Sequence, residues 1–164
     1  MAIDFKQDIL APVAQDFAAM DTFINEGITS KVALVMAVSK HVVEAGGKRM
    51  RPIMCLLAAK ACGVTDLEPH RRLAAIIEML HTATLVHDDV VDESGLRRGR
   101  PTANATWNNQ TAVLVGDFLK ISVGEFNAIE QFHFHILCVP RCVGAKKNFI
   151  CAVGFDNFLG VIFG

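Results

Sequence analysis

The chain has 164 residues, is 52% hydrophobic and carries a formal net charge of -1. That suits one domain with a sizeable core and excludes an overall field able to hold nucleic acid or an anionic membrane, so any anion site must be built locally. The five cysteines (Cys55, Cys62, Cys138, Cys142, Cys151) are odd in number and form no CxxC pair, which points to free thiols in a reducing cytosol.

The N-terminal MAIDFKQDIL lacks a basic region followed by an apolar one, so no signal peptide is expected, and the chain is read as cytoplasmic. Apolar residues at Phe5, Ile9, Val13, Phe17 and Met20 predict a helix over about 4–25, kinked at Pro12. Ser30 is a fair N-cap for a second helix over about 31–45, closed by Gly46-Gly47. A third helix starts near Pro52 and ends by Gly63. A fourth spans about 68–92, with an apolar stripe of Leu73, Ile76, Ile77, Leu80, Thr84 and Leu85. A polar loop over 93–102 leads to a fifth helix over about 105–120. No alternation of apolar and polar residues signals a strand here, so the reading is an all-α bundle. No uncharged apolar run reaches the roughly 18–20 residues of a membrane span.

His87-Asp88-Asp89-Val90-Val91-Asp92 ends the long helix. Asp88 and Asp92 are one turn apart on one face, and Asp89 lies beside them. Their mutual repulsion, at a helix end whose dipole also disfavours negative charge, is locally costly. Magnesium offsets that cost by binding carboxylates and completing its shell with waters and phosphate oxygens. A platform for magnesium diphosphate is one reading. The alternative is a solvated acidic helix end neutralised by Arg97, Arg98 and Arg100.

Cations stand in two loops. In Gly46-Gly47-Lys48-Arg49-Met50-Arg51-Pro52 the glycines allow close backbone approach, and Lys48 and Arg51 offer a point charge and a bidentate fork for phosphate oxygens. Taken alone, this is also what a surface loop looks like. Arg97-Arg98-Gly99-Arg100 follows the aspartates closely enough to reach back over them. His81, two turns before Asp88 on the same face, is a candidate ligand contact or a core histidine; His87 reads as structural. His133, His135, Cys138 and Cys142 fit no zinc spacing.

GGKRMRP, then EMLHTATLVHDDVVDESGLRRGRPTAN, then VLVGDFL, in this order, resemble the trans-isoprenyl diphosphate synthases, nearest the octaprenyl and long-chain polyprenyl branch. The resemblance covers about residues 1–119 and implies an isoprenoid-synthase-like antiparallel helix bundle. It implies a trans-prenyltransferase that condenses isopentenyl diphosphate with an allylic diphosphate, with Mg2+ as cofactor. Asp88, Asp89 and Asp92 would hold the magnesium ions on the allylic diphosphate, and Arg97 would touch that group. Lys48, Arg51, His81 and Arg98 would form the isopentenyl diphosphate pocket. Asp88, Asp92 and Arg97 are the catalytic candidates. Ala83 and Thr84, small residues just before the aspartates, imply an open tunnel and a long product. The family also implies a homodimer. A class I terpene cyclase shares the aspartate motif but needs no isopentenyl pocket, so GGKRMRP argues against it.

The resemblance stops after Asp117, and residues 120–164 show no second aspartate-rich motif. Seven of the eleven Phe fall in 126–163, and this divergent tail reads as translation in a wrong frame or a substituted end. The expectation is a truncated synthase with weak or no activity. The alternative is a non-catalytic diphosphate-binding or partner subunit of a complete synthase.

Overall fold

The computed structural model describes residues 5–124. The tail beyond Gly124, with His133, His135, Cys138, Cys142 and all seven clustered Phe, lies outside the described residues. The predicted first helix divides at Pro12. Phe5–Leu10 is a π-helical turn and Ala11–Val13 a 3-10 turn before α1 (Ala14–Gly27). Pro12 has no N–H to bond back, and its ring crowds the preceding turn, so regular α-geometry resumes only after it.

Ser30 accepts a hydrogen bond from the Val32 N–H at 3.2 Å, just ahead of α2 (Ala33–Glu44). α3 (Met50–Ala61) begins two residues before the expected Pro52, which then sits in the first turn, where a missing N–H costs nothing. Its N-cap, Arg49, has φ 47°, in the left-handed region that non-glycine residues avoid. α4 (Glu68–Val91) matches its predicted bounds closely.

α4 is the centre of the bundle. It packs against α1, α3 and α6 (Asn109–Gly124), and Ala74 through Met79 are all buried. The predicted apolar stripe captures one face of a helix that is enclosed on several. Met20, Ile24, Ile53, Leu56, Met79 and Leu119 fill the core around it. α6 approaches α4 closely at Gly116, where a Cβ would collide with the His87 ring. His87 Nε2 lies 3.2 Å from the Val113 carbonyl, and Nδ1 lies 3.2 Å from Lys120 Nζ. The lysine must donate there, so the imidazole carries its proton on Nε2 and donates to Val113. His87 thus ties two helices together, as its structural reading expects.

α4 ends in a Schellman motif: the Ser94 N–H reaches the Asp89 carbonyl at 2.9 Å, and the Glu93 N–H reaches Val90 at 3.4 Å. Glu93 takes the left-handed position with φ 52°, where glycine is usual. The polar loop then holds a small feature that the sequence does not announce. β1 (Leu96–Arg97) pairs antiparallel with β2 (Arg100–Pro101) across Arg98-Gly99. Both turn residues have positive φ, 53° and 79°, as a two-residue hairpin turn requires. Two-residue strands are too short to show alternation, so the pattern is silent. Thr102, which caps the single turn α5 (Ala103–Thr106), donates to the Ser94 carbonyl at 2.7 Å. Asn104 donates to the carbonyls of Asp89 (3.2 Å) and Ser94 (3.1 Å), fixing the hairpin to the end of α4.

Among the described residues no helix is long and apolar enough to cross a membrane. Cys55 and Cys62 are free thiols; burial pushes Cys55 up to about 12, so it stays protonated.

Candidate functional site

Glu78, His81, Thr82, Leu85, Val86 and Asp89 recur at steps of three and four residues and present one face of α4 to a cavity of about 490 Å³. The α2–α3 loop and the start of α3 form a second wall, and the hairpin forms a third. Lys48, Arg49, Arg51, Arg97 and Arg98 all line this space, five cations against the two carboxylates of Glu78 and Asp89. The sequence candidates Lys48, Arg51, His81, Arg97 and Arg98, from three separated segments, are therefore brought to one cavity.

The aspartates divide. Asp89 is buried and turned inward, and the Arg97 guanidinium grips both its oxygens, at 2.8 Å and 3.0 Å to Oδ1 and 3.0 Å to Oδ2. That hydrogen bonding, with the charge of Asp89 and of nearby Asp88 and Asp92, raises the Arg97 pKa against the opposing effect of burial. Of the three carboxylates expected on the metal, Asp89 is paired with Arg97 in this arrangement. Asp88 and Asp92 are exposed at the helix end, outside the cavity lining. Among the described residues no three His, Cys, Asp or Glu converge as a metal-holding group. The chemistry that remains is a pair of open carboxylates one turn apart. That set fits magnesium, which takes one or two carboxylates and fills its shell from phosphate and water.

The two loops meet at Arg98. Its guanidinium donates to the Ala45 carbonyl at 3.3 Å and lies over Gly47, where a Cβ would stand 2.5 Å from Nη1. Gly47 is thus needed for close approach, as the glycine pair suggests. His41, which the sequence reading passes over, anchors the hairpin from α2. Its Nε2 lies 2.8 Å from the Pro101 carbonyl, and its ring meets Trp107 edge-on at 5.2 Å.

His81 sits at the centre of the charged wall. Burial, then Arg51, Arg98 and Arg97, lower its pKa, with Asp88 opposing. It is neutral near pH 7 and can offer one N–H to an anion. Glu78 and Arg49 are the lining charges that sequence reasoning misses. Burial raises the Glu78 pKa, while Arg49, Arg51 and Arg98 counteract it. Burial lowers Arg49, partly offset by Glu78, and Arg49 also pairs with Asp21 of α1. One signal for Glu78 is available: it stands three residues before His81 and eleven before Asp89, on the same helical face.

Ala83 and Thr84 are not part of the cavity lining. Ala83 is fully buried in the core, and the half-buried Thr84 donates its hydroxyl to the His81 carbonyl at 2.7 Å.

A family model described as Polyprenyl synthetase matches residues 32–134. A relative from Rhodobacter capsulatus, an all-trans-nonaprenyl-diphosphate synthase (geranyl-diphosphate specific), is 91% identical over 119 residues, covering 73% of this chain and 37% of that protein. The octaprenyl diphosphate synthase of Escherichia coli is 50% identical over 106 residues, 65% of this chain and 32% of its own length. A polyprenyl synthase from Caulobacter crescentus, solved with calcium and isoprenyl diphosphate, superposes with a TM-score of 0.72 at 39% identity, covering 79% of this chain and 40% of that one. The chain spans about a third of the length of the curated relatives it matches.

Proposed function

The chain belongs to the polyprenyl synthetase family, and on that premise we propose that it carries the diphosphate-binding face of a trans-prenyltransferase, a polyprenyl diphosphate synthase joining isopentenyl diphosphate to an allylic diphosphate. The observation that carries this reading is the excess of cations in one cavity, drawn from two loops and set beside an open pair of carboxylates. Arg49 and Arg97 are half-buried, while Lys48, Arg51 and Arg98 reach solvent at the cavity wall; their mutual repulsion is relieved by an anion of high charge.

In this reading Lys48, Arg51 and Arg98 hold the isopentenyl diphosphate, with His81 donating one hydrogen bond. Burial, then the charges of Arg51, Arg98 and Arg97, keep His81 neutral, so it meets the anion with a single N–H. Arg97, held in place by Asp89, presents a fixed positive charge to the allylic diphosphate without having to reorient. Asp88 and Asp92 would hold Mg2+, which when bound supplies charge neutralisation for the departing diphosphate. Leu85 and Val86 give the cavity an apolar wall that keeps water from the reacting carbons. Thr84 and Ala83, small residues before the aspartates, are proposed to leave room for a long product.

A homodimer is proposed on the exposed apolar side chains of α6, Leu114 at 67% and Ile121 at 68%. A cytoplasmic setting is favoured by the free thiols of Cys55 and Cys62.

Incubation of this chain with labelled isopentenyl diphosphate, an allylic primer and magnesium, followed by extraction of apolar products, tests the reading beside an Asp88→Ala variant. Label in the extract that disappears in the variant supports a synthase. Diphosphate binding without any extractable product would instead favour a non-catalytic partner subunit.

A further inference from the structure

Glu78 has no part in the grip just described, since a carboxylate repels the anion that the cavity is proposed to take. It is nonetheless 9% exposed, in the middle of α4, between the buried Ile77 and Met79. It lines the main cavity and also, with Arg49, a void of about 10 Å³ beside it. An apolar residue of similar volume would remove the desolvation penalty at this position. Stability therefore does not account for an acid there.

The neighbours suggest what does. Glu78 faces Arg49, Arg51 and Arg98, cations from both loops. Arg49 and Arg98 each sit on backbone of positive φ, 47° and 53°, a conformation held at some cost. Arg97 has its own carboxylate in Asp89. Arg51 and Arg98 line the cavity yet reach solvent, so without a second buried acid the remaining guanidinium groups would repel one another and leave the cavity wall. We propose that Glu78 is a positioning residue, a buried counter-charge that keeps Arg51 and Arg98 turned into the cavity before any diphosphate arrives. The assignment rests on the diphosphate reading of the site. It makes the two lining acids parallel in role: Asp89 orders Arg97 at the helix end, and Glu78 orders Arg51 at the start of α3 and Arg98 in the hairpin turn.

Titration calorimetry of this chain with inorganic pyrophosphate, without metal, separates positioning from simple charge. Glu78→Gln removes a negative charge from an anion site. On charge alone it should tighten binding. As a positioning residue its loss should weaken binding about five- to twentyfold, while the melting temperature at pH 7 holds or rises because a buried charge has gone. Glu78→Asp keeps the charge but withdraws it by one methylene, and should recover part of the lost affinity. Pyrophosphate affinity in Glu78→Gln equal to or above wild type overturns the inference while leaving the diphosphate reading intact. Should Glu78→Gln fail to fold, Glu78→Asp decides: a loss of a few-fold supports positioning, and wild-type affinity overturns it. A wild-type chain that does not take pyrophosphate at all removes the diphosphate reading and this inference with it.

Discussion

Among the described residues, two places bury carboxylates among cations, and they differ in whether the charges close on themselves. Near the N-terminus, Asp16 of α1 is 6% exposed and takes Arg71 Nη2 at 2.7 Å on one oxygen and Lys60 Nζ at 3.0 Å on the other. Lys60 also donates to the Pro12 carbonyl at 2.6 Å, joining three elements at one point. Burial works to raise the Asp16 pKa, but hydrogen bonds from Lys60 and Arg71 outweigh it and hold the carboxyl below its ordinary value. In the cavity, by contrast, five cations share two acids around open space, and burial wins at Glu78. The first cluster is complete and does structural work. The second is left with excess positive charge and room for a ligand, the signature of a site rather than a strut.

Substitutions in the two clusters should have opposite consequences. The largest expected effect is on binding: Arg51→Ala should weaken pyrophosphate binding about ten- to hundredfold, the worth of a charge-assisted contact of about 1.5–3 kcal/mol, with little change in melting temperature. Asp16→Asn should do the reverse. It should cost about 2 kcal/mol by denaturant unfolding, below the fully buried limit because Lys60 and Arg71 keep some water contact, and leave pyrophosphate affinity unchanged. An Asp16→Asn variant that lost affinity in proportion to stability would erase the distinction between the clusters.

Gly47→Ala sharpens the cavity side. The added methyl meets the far end of a flexible side chain, so calorimetry should find pyrophosphate affinity down several-fold as Arg98 is displaced. Stability should move by less than about 1 kcal/mol, because Arg98 can swing aside where backbone could not.

The smallest effect is in pH, and the two acids should give opposite signs. Asp16 has a depressed pKa in the fold, so the stability it confers over Asp16→Asn is present at neutral pH and lost as pH falls through that depressed value, below about 3.8. Glu78 has a raised one, so wild type loses stability relative to Glu78→Gln as pH rises above the ordinary glutamate value of about 4.5. Urea melts of the three proteins across pH 3–8 measure both differences, and curves of the same sign would contradict the assignment of the two environments.

The sequence is informative where chemistry is carried by periodicity and by short motifs. The bounds of α4 follow from its long helical pattern, and the charged residues of GGKRMRP and GLRRGRP stand out by residue type and spacing alone. What a linear pattern does not carry is orientation at the level of a single residue. Asp88, Asp89 and Asp92 look equivalent as a cluster, yet a 100° step along the helix turns Asp89 inward to Arg97 and leaves the other two in water. Glu78 escapes notice for a related reason: a lone acid in a helix reads as a solvated position, and only the fold sets Ile24 of α1, Val43 of α2 and Arg49 beside it. Arg49, Glu93 and Arg98 take left-handed backbone without being glycine, so residue type does not announce them. The N-terminal helix is shorter than its apolar spacing suggests because Pro12 breaks the α-helical ladder rather than bending it.

The central claim is that cations from two loops converge on one diphosphate. A crystal structure of this chain with isopentenyl diphosphate tests it most directly. Phosphate oxygens should stand inside the cavity at about 2.7–3.2 Å from Lys48, Arg51 and Arg98. A diphosphate seated elsewhere, with those three side chains turned out to solvent and the cavity closed, would contradict it.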